Sequence, residues 1–396
     1  MPIRPPKTAA IPLSVPCITG NAWKYVKDCL DTGWVSAAGK YVGVFERKIC
    51  GYTKGKHAVA VSNGTVGIYV SLKLCGVKQG DEVLVPTLTF IAPVNAVKYL
   101  GAEPVFMDCD NFMNLDPVKL EDFLETQCRT EKSGVVNRRT GRRIKAILLV
   151  HVFGNPCDIA AIMRLARKHR LKVVEDATES LGSYYTDGPC KNRFTGTIGD
   201  FGVFSFNGNK IITTGGGGMI VTGSKAMADR AKYLTTQAKD DAVRYVHNEI
   251  GYNFRLTNLQ AALGVAQMEQ LHAFIEIKKR NYRSYAEHLS DIDGITFLGA
   301  PEHTSPNHWF YSVLVDKAAY GRDRESLMVG LERVGIQTRP VWRLNHLQKP
   351  YSRNQAYKIS RALWFWERTL NLPCSVSLTG GDIRRVCGFL GKLCRR

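Results

Sequence analysis

The chain has 396 residues, 44% of them hydrophobic, enough for two or three cored domains and too apolar for a disordered protein. Its 54 Lys and Arg against 35 Asp and Glu leave a formal charge of +19, so an anionic or phosphorylated partner has to be considered from the start. No apolar run reaches the roughly 20 residues that span a bilayer, and Met1 to Pro16 has basic residues without the apolar stretch of a secretory signal; the expectation is a soluble, cytoplasmic protein without a membrane partner.

In chain order, short β-branched runs alternate with helical segments from Ala58 to about Val221. The predicted strands are Ala58–Val61, Glu82–Val85, Pro104–Met107, Ala146–His151, Lys172–Asp176, Gly202–Ser205 and Met219–Thr222. That rhythm predicts an α/β domain with a mostly parallel sheet and crossover helices. Between them, Arg129 to Lys145 carries seven basic residues against one acid, which reads as a solvated hairpin. The four glycines Gly215–Gly218 lie between two strand-like runs, Ile211-Ile212 and Met219–Val221, a turn's position and not that of a phosphate-binding Walker loop.

Thr257-Asn258-Leu259-Gln260 has capping-box spacing, with Leu259, Leu263 and Ala266 following on one face; a helix is predicted to start there and continue towards Leu289. Beyond Gly294 the pattern changes to short strands and helices, including Trp309–Val315 and a helix from about Asp323 to Val334. We therefore expect a large domain with an N-terminal arm over 1–256, then a linking helix and a smaller C-terminal α+β domain over 257–396. The tail adds Arg384, Arg385, Lys392, Arg395 and Arg396, read as a solvated helix end.

Eleven scattered cysteines form no C-x-x-C pair, and the nine histidines show no zinc-ligand spacing, so a reducing compartment and no catalytic metal are expected. Neither basic cluster is accompanied by a helix-turn-helix, zinc finger or RNA-binding aromatic pattern, which argues against nucleic acid.

Lys210 stands out. It ends the run Phe204-Ser205-Phe206-Asn207-Gly208-Asn209-Lys210, and an amine in such an aromatic, glycine-bounded setting is suited to forming an imine with a carbonyl cofactor. Upstream, Val173-Val174-Glu175-Asp176-Ala177 reads as a strand ending in acids, the place where an open α/β sheet holds its ligands. Pyridoxal phosphate needs such a lysine together with a carboxylate that keeps its ring nitrogen protonated, and Asp176 is the candidate. Ser62-Asn63-Gly64-Thr65 follows one strand and precedes a helix, so its amides can face a phosphate. Gly64 permits close approach and Thr65 adds a hydroxyl. Ser205 is a further phosphate donor, and Phe90 offers a flat face for the cofactor ring.

Taken together, these segments resemble the DegT/DnrJ/EryC1/StrS family of sugar aminotransferases over nearly the whole chain. Thr32–Ser36, Gly80–Val83, Pro86–Phe90, Glu175–Ala177, Phe204–Lys210, Gly251–Arg255 and Asn371–Pro373 carry the likeness. The resemblance implies the fold type I of pyridoxal phosphate enzymes, with Lys210 as the cofactor lysine, Asp176 on the pyridine nitrogen, Phe90 on the ring, and Gly64, Thr65 and Ser205 on the phosphate. It also implies a homodimer with shared active sites, Asn253 reaching the phosphate of the neighbouring subunit. Glu179 stands near the cofactor's 3-oxygen where many members have Gln, and Gly216 where many have Glu. Related sugar dehydratases carry His at the lysine position, so Lys210 favours amino transfer.

Asn21–Val26 and Gly39–Val42 resemble the branch acting on UDP-linked 4-keto-6-deoxy-N-acetylhexosamines. That likeness implies L-glutamate as donor and a 4-amino-4,6-dideoxy sugar nucleotide for glycan biosynthesis as product, with Trp34, Arg339 and His346 as candidate substrate contacts. The alternatives are another keto sugar nucleotide, with a C3 ketone or a GDP or dTDP carrier, or a protein that binds anionic ligands or nucleic acid with a vestigial cofactor pocket.

Overall fold

The computed structural model describes residues 10–394 apart from Ser133 and Ala242. Met1–Ala9, and Arg395 and Arg396 of the basic tail, lie outside the described residues. All seven strands of the large domain form within a few residues of where their β-branched runs place them. They belong to a ten-stranded sheet whose main path runs His57–Val61, Gly218–Thr222, Phe201–Ser205, Lys172–Asp176, Arg143–Val150, Glu82–Pro86, Glu103–Met107 and Ala356–Tyr357. Along that path only Gly218–Thr222 runs against its neighbours. The central strands are buried on both faces, as their continuous apolar sequences require, with Val83, Val85, Leu148 and Val174 packing on one side and Leu84, Ile147, Leu149 and Val173 on the other.

The basic segment after residue 128 forms the expected hairpin, Cys128–Glu131 against Gly134–Asn137. Several of its cations are paired, Arg143 with Asp81 at 3.0 Å and Arg129 with Glu131 at 2.6 Å. One expectation fails. Ile211 and Ile212 are not a strand, and Gly218–Thr222 pairs instead with Phe201–Ser205 and His57–Val61. The two isoleucines are buried in the cluster formed by Phe45, Phe206 and Leu271, so their β-branched character serves packing inside a loop.

Thr257 caps the helix Asn258–Leu289 through the predicted box with Gln260. With 32 residues at 1.5 Å each it is about 48 Å long. Its first half packs on the helices Ala22–Asp31 and Lys40–Thr53, and it also meets the last helix, Gly380–Leu393. The smaller unit is an antiparallel sheet in the order Ile295–Phe297, Tyr311–Val315, Thr369–Leu372, Arg339–Pro340, its core formed by Tyr285, Tyr311, Leu327, Leu331, Val386 and Leu390.

Two segments cross the division proposed after residue 256. The N-terminal arm joins the C-terminal unit, where Ile11 N–H donates to Gly335 O at 2.8 Å and Cys374 N–H donates to Leu13 O at 2.7 Å. Conversely, Ala356–Tyr357 adds a parallel strand to the large sheet beside Glu103–Met107. These crossings hold the smaller unit over the carboxyl ends of the parallel strands, where the cavity described next lies.

Candidate active site

Four strand ends build the site. Val61 leads into Asn63-Gly64-Thr65, Pro86 into Thr87–Phe90, Asp176 into Thr178-Glu179, and Ser205 into Asn207–Lys210. These four strands run in the same direction, His57–Val61 through the one reversed strand beside it, so their carboxyl ends lie on one side of the sheet and residues distant in sequence converge. Gly64, Thr65, Phe90, Asp176, Glu179, Ser205, Lys210 and Arg339 all line one cavity of about 620 Å³.

At one end of this cavity the helix Gly64–Leu74 begins. Asn63 caps it by accepting the N–H of Val66 at 3.0 Å, and the amides of Gly64 and Thr65 precede any intrahelical acceptor. A Cβ at Gly64 would lie 3.0 Å from Thr178 Cγ2 and 3.1 Å from Ser205 Cβ, so Thr178 and Ser205 wall the turn closely. The result is a narrow cradle of N–H and O–H donors at the positive end of a helix dipole, suited to a phosphate dianion.

Asp176 lies deeper and is buried. Thr178 donates its backbone N–H to Asp176 Oδ1 at 3.0 Å. Burial raises its pKa above the ordinary value, against the hydrogen bonds of Thr178 and the charge of Lys210. A buried carboxylate in that condition favours a cation at its open side. Its neighbour Glu175 is fully buried but stays below its ordinary range: burial pushes it up, and His151 with the N–H groups of Gly199 and Gly196 outweighs this. Cys157 N–H donates to His151 Nδ1 at 3.0 Å, so the ring proton is on Nε2, which donates to Glu175 at 3.1 Å.

Lys210 reaches the middle of the cavity with its side chain only 13% exposed. Its Nζ is 3.7 Å from Glu179 Oε1 and 4.1 Å from the ring centroid of Trp309. Phe153 donates its N–H to the other carboxylate oxygen of Glu179, Oε2, at 2.9 Å. Burial carries Glu179 up to about 7 despite the opposing pull of Lys210. Across the cavity Phe90 keeps an open face, being 52% exposed.

The donor cradle, the buried carboxylate, the amine and the free aromatic face fit pyridoxal phosphate in the order its phosphate, ring nitrogen, aldehyde and ring plane demand.

Three expected site residues fall outside the cavity of this chain. Trp34 is exposed and lines a separate cavity of about 330 Å³ with Asp28, Lys40 and Asn258; its carbonyl accepts from Asn258 Nδ2 at 2.7 Å. His346 does not line the cavity, and its Nδ1 is within 2.6 Å of Thr87 Oγ1. Asn253 is exposed on the exterior, bridged to Thr236. Sequence reasoning missed Trp309, Phe153, Thr178, Trp342 and Arg343. Of these, Thr178 alone had a local signal, two residues beyond Asp176; Trp309 was read as the start of a strand.

The model of the DegT/DnrJ/EryC1/StrS aminotransferase family matches residues 16–391. The chain is 37% identical to a GDP-perosamine synthase of Escherichia coli O157:H7, over 95% of this chain and 96% of that protein. It is 35% identical to a GDP-perosamine synthase of Caulobacter vibrioides, over 97% and 98%. Among solved structures, the aminotransferase TlmJ from Streptoalloteichus hindustanus superposes with a TM-score of 0.86 at 27% identity, covering 97% of this chain and 99% of that one.

Proposed function

The chain belongs to the DegT/DnrJ/EryC1/StrS aminotransferase family, and from that premise we propose that it moves the amino group of L-glutamate to the C4 ketone of a 4-keto-6-deoxyhexose carried on a nucleoside diphosphate. That it is a pyridoxal phosphate-dependent aminotransferase of fold type I acting on a nucleotide-linked keto sugar follows from the family and its relatives. For the nucleotide, the sequence motifs pointed to UDP. Full-length likeness to two proteins named GDP-perosamine synthase supports GDP instead, and GDP is the carrier we propose.

The observation that carries the reading is the position of Lys210 Nζ, between Glu179 and Trp309 in a single cavity that the Gly64 cradle, Arg339 and Arg343 also line. When bound, pyridoxal phosphate supplies the electron sink that stabilises negative charge on a substrate carbon and carries the amino group between donor and acceptor. In this reading Lys210 Nζ holds the cofactor and, once freed by a substrate amine, takes and returns the proton at the reacting carbon. The Asp176 carboxylate keeps the ring nitrogen protonated; a full charge about 4 Å away at an effective dielectric near 20 contributes roughly 4 kcal/mol. Gly64, Thr65 and Ser205 would hold the phosphate, Phe90 would offer its face to the ring, and Glu179, steadied by Phe153 N–H, would stand near the 3-oxygen. Arg339 and Arg343, which line the same cavity, would offer guanidinium groups to the diphosphate of the sugar nucleotide, and Trp342 an apolar face.

We further propose a homodimer. Ile18, Trp23, Leu30, Trp34 and Val35 are exposed apolar side chains near the chain's start, more than an isolated surface would ordinarily carry together. In such a dimer Asn253 would complete the partner's phosphate cradle.

The test is direct: purified protein loaded with pyridoxal phosphate is given L-glutamate and, separately, GDP- and UDP-linked 4-keto-6-deoxy sugars, with products read by mass spectrometry. We expect the GDP-linked amino sugar; exclusive conversion of the UDP-linked substrate would overturn the nucleotide assignment.

A further inference from the structure

Glu179 occupies a place where the family resemblance leads one to expect Gln, and the substitution exchanges a group that cannot take a proton for one that can. Its surroundings single it out. One oxygen is held by Phe153 N–H at 2.9 Å, which fixes the carboxyl; the other faces Lys210 Nζ at 3.7 Å. The Glu179 carbonyl is fixed too, by Asn307 Nδ2 at 2.9 Å. The side chain is almost fully enclosed.

The other charged and titratable groups around this pair are accounted for. Asp176 lies at the end of its strand, and its charge also acts on Glu179. His151, next to the turn that holds Glu179, is turned away to Glu175 and Cys157. Lys278, behind Trp309, donates to the carbonyls of Trp309 at 2.8 Å and Cys374 at 2.6 Å. Arg339 and Arg343 also line the cavity. Glu179 is thus the carboxylate that the amine meets within ion-pair distance.

Resting on the reading of Lys210 as the cofactor lysine, we propose that Glu179 is the proton acceptor that converts the Lys210 ammonium into the free amine. In that step an Nζ–H bond breaks and an Oε1–H bond forms, so the ion pair becomes a neutral amine beside a neutral acid and no proton leaves the site. Burial favours the exchange, because an enclosed carboxyl binds a proton far more readily than one in water. An approach of less than 1 Å from 3.7 Å brings the two atoms to hydrogen-bond distance.

The experiment uses the cofactor-free protein and follows its covalent capture of pyridoxal phosphate by borohydride trapping and mass spectrometry across pH. Wild-type capture should rise through the neutral range as Glu179 ionises. In Glu179→Gln the capture at neutral pH should be at least about tenfold slower, and the rise tied to Glu179 should vanish. A mere counter-ion would hold the ammonium in place, so its removal would accelerate capture; equal or faster capture in Glu179→Gln overturns the proposal. Should that variant not fold, the wild-type profile decides, since a profile without a rise in the neutral range equally contradicts it. Trapping at a residue other than Lys210 would instead overturn the underlying assignment.

Discussion

The indole of Trp309 covers the ammonium of Lys210, with Nζ 4.1 Å from the ring centroid, and donates its Nε1 proton to the carbonyl of Asn209 at 2.7 Å. One side chain therefore both screens the amine and fixes the backbone next to it. Trp309 is itself fixed by Lys278, whose buried ammonium binds its carbonyl. Trp309→Leu should lower kcat about fivefold, roughly 1 kcal/mol, as expected for a lost cation–π contact, with a small change in Tm. Trp309→Phe should recover part of the rate by restoring the aromatic face. Steady-state kinetics on the two variants checks this; equal losses would mean that the Nε1 bond to Asn209, not the ring face, is what matters.

Asp176→Asn should still trap pyridoxal phosphate on Lys210, because the amine is untouched. It should lose about three orders of magnitude in the glutamate half-reaction, the equivalent of the roughly 4 kcal/mol that the carboxylate contributes to the ring nitrogen's proton. Single-turnover mixing with glutamate measures it, and near-normal rates would remove Asp176 from the mechanism.

Gly218 supports the cradle from behind. A Cβ there would fall 2.6 Å from the carbonyl carbon of Asn63 and 2.8 Å from the nitrogen of Gly64, so the loop would have to shift. Gly218→Ala should weaken pyridoxal phosphate binding by about tenfold, some 1.4 kcal/mol, measured by equilibrium titration of the cofactor-free protein. Unchanged affinity would place the phosphate elsewhere.

Asp108 ties the two parts of the molecule together. It is fully buried, bonded to the Lys119 ammonium, and accepts the backbone N–H groups of Ser360, Arg361 and Ala362 at 2.8 to 2.9 Å. Burial pushes its pKa up, but Lys119 and those N–H groups outweigh this and hold it below its ordinary value of 3.8. A depressed carboxylate contributes its stability in full above the unfolded pKa and loses it as pH falls through the folded one. Stability should therefore decline below about pH 4 in wild type. Asp108→Asn should cost about 3 kcal/mol at neutral pH by urea denaturation and show less of the acid decline. An unchanged acid profile would assign the decline to other carboxylates.

Much of the fold is legible in the amino-acid sequence itself. The β-branched runs at Lys172–Asp176 and Gly202–Ser205 announce buried parallel strands, and the Thr257-Gln260 box announces the long helix, because these signals are local and physically direct. The positions of the candidate site residues are local in the same way: Gly64 opens the helix after a strand, Asp176 ends one, and Lys210 follows another by five residues. What could not be read was contact between segments far apart in sequence. Trp309 reaches Lys210 only after the smaller unit folds over the strand ends, and nothing within its own segment marks it. Ile211-Ile212 misled because β-branched residues suit a packed loop as well as a strand. The bond between His346 Nδ1 and Thr87 Oγ1, which likewise joins segments far apart in the chain, has no sign in the sequence.

The most direct test of the central claim is the visible absorbance of the protein loaded with pyridoxal phosphate, wild type beside Lys210→Ala, on adding L-glutamate and then the GDP-linked keto sugar. Wild type should show a lysine-bound cofactor band that disappears with glutamate and returns with the sugar, and Lys210→Ala should show neither the band nor the cycle. A band that persists in the variant, or one that ignores glutamate in wild type, would contradict it.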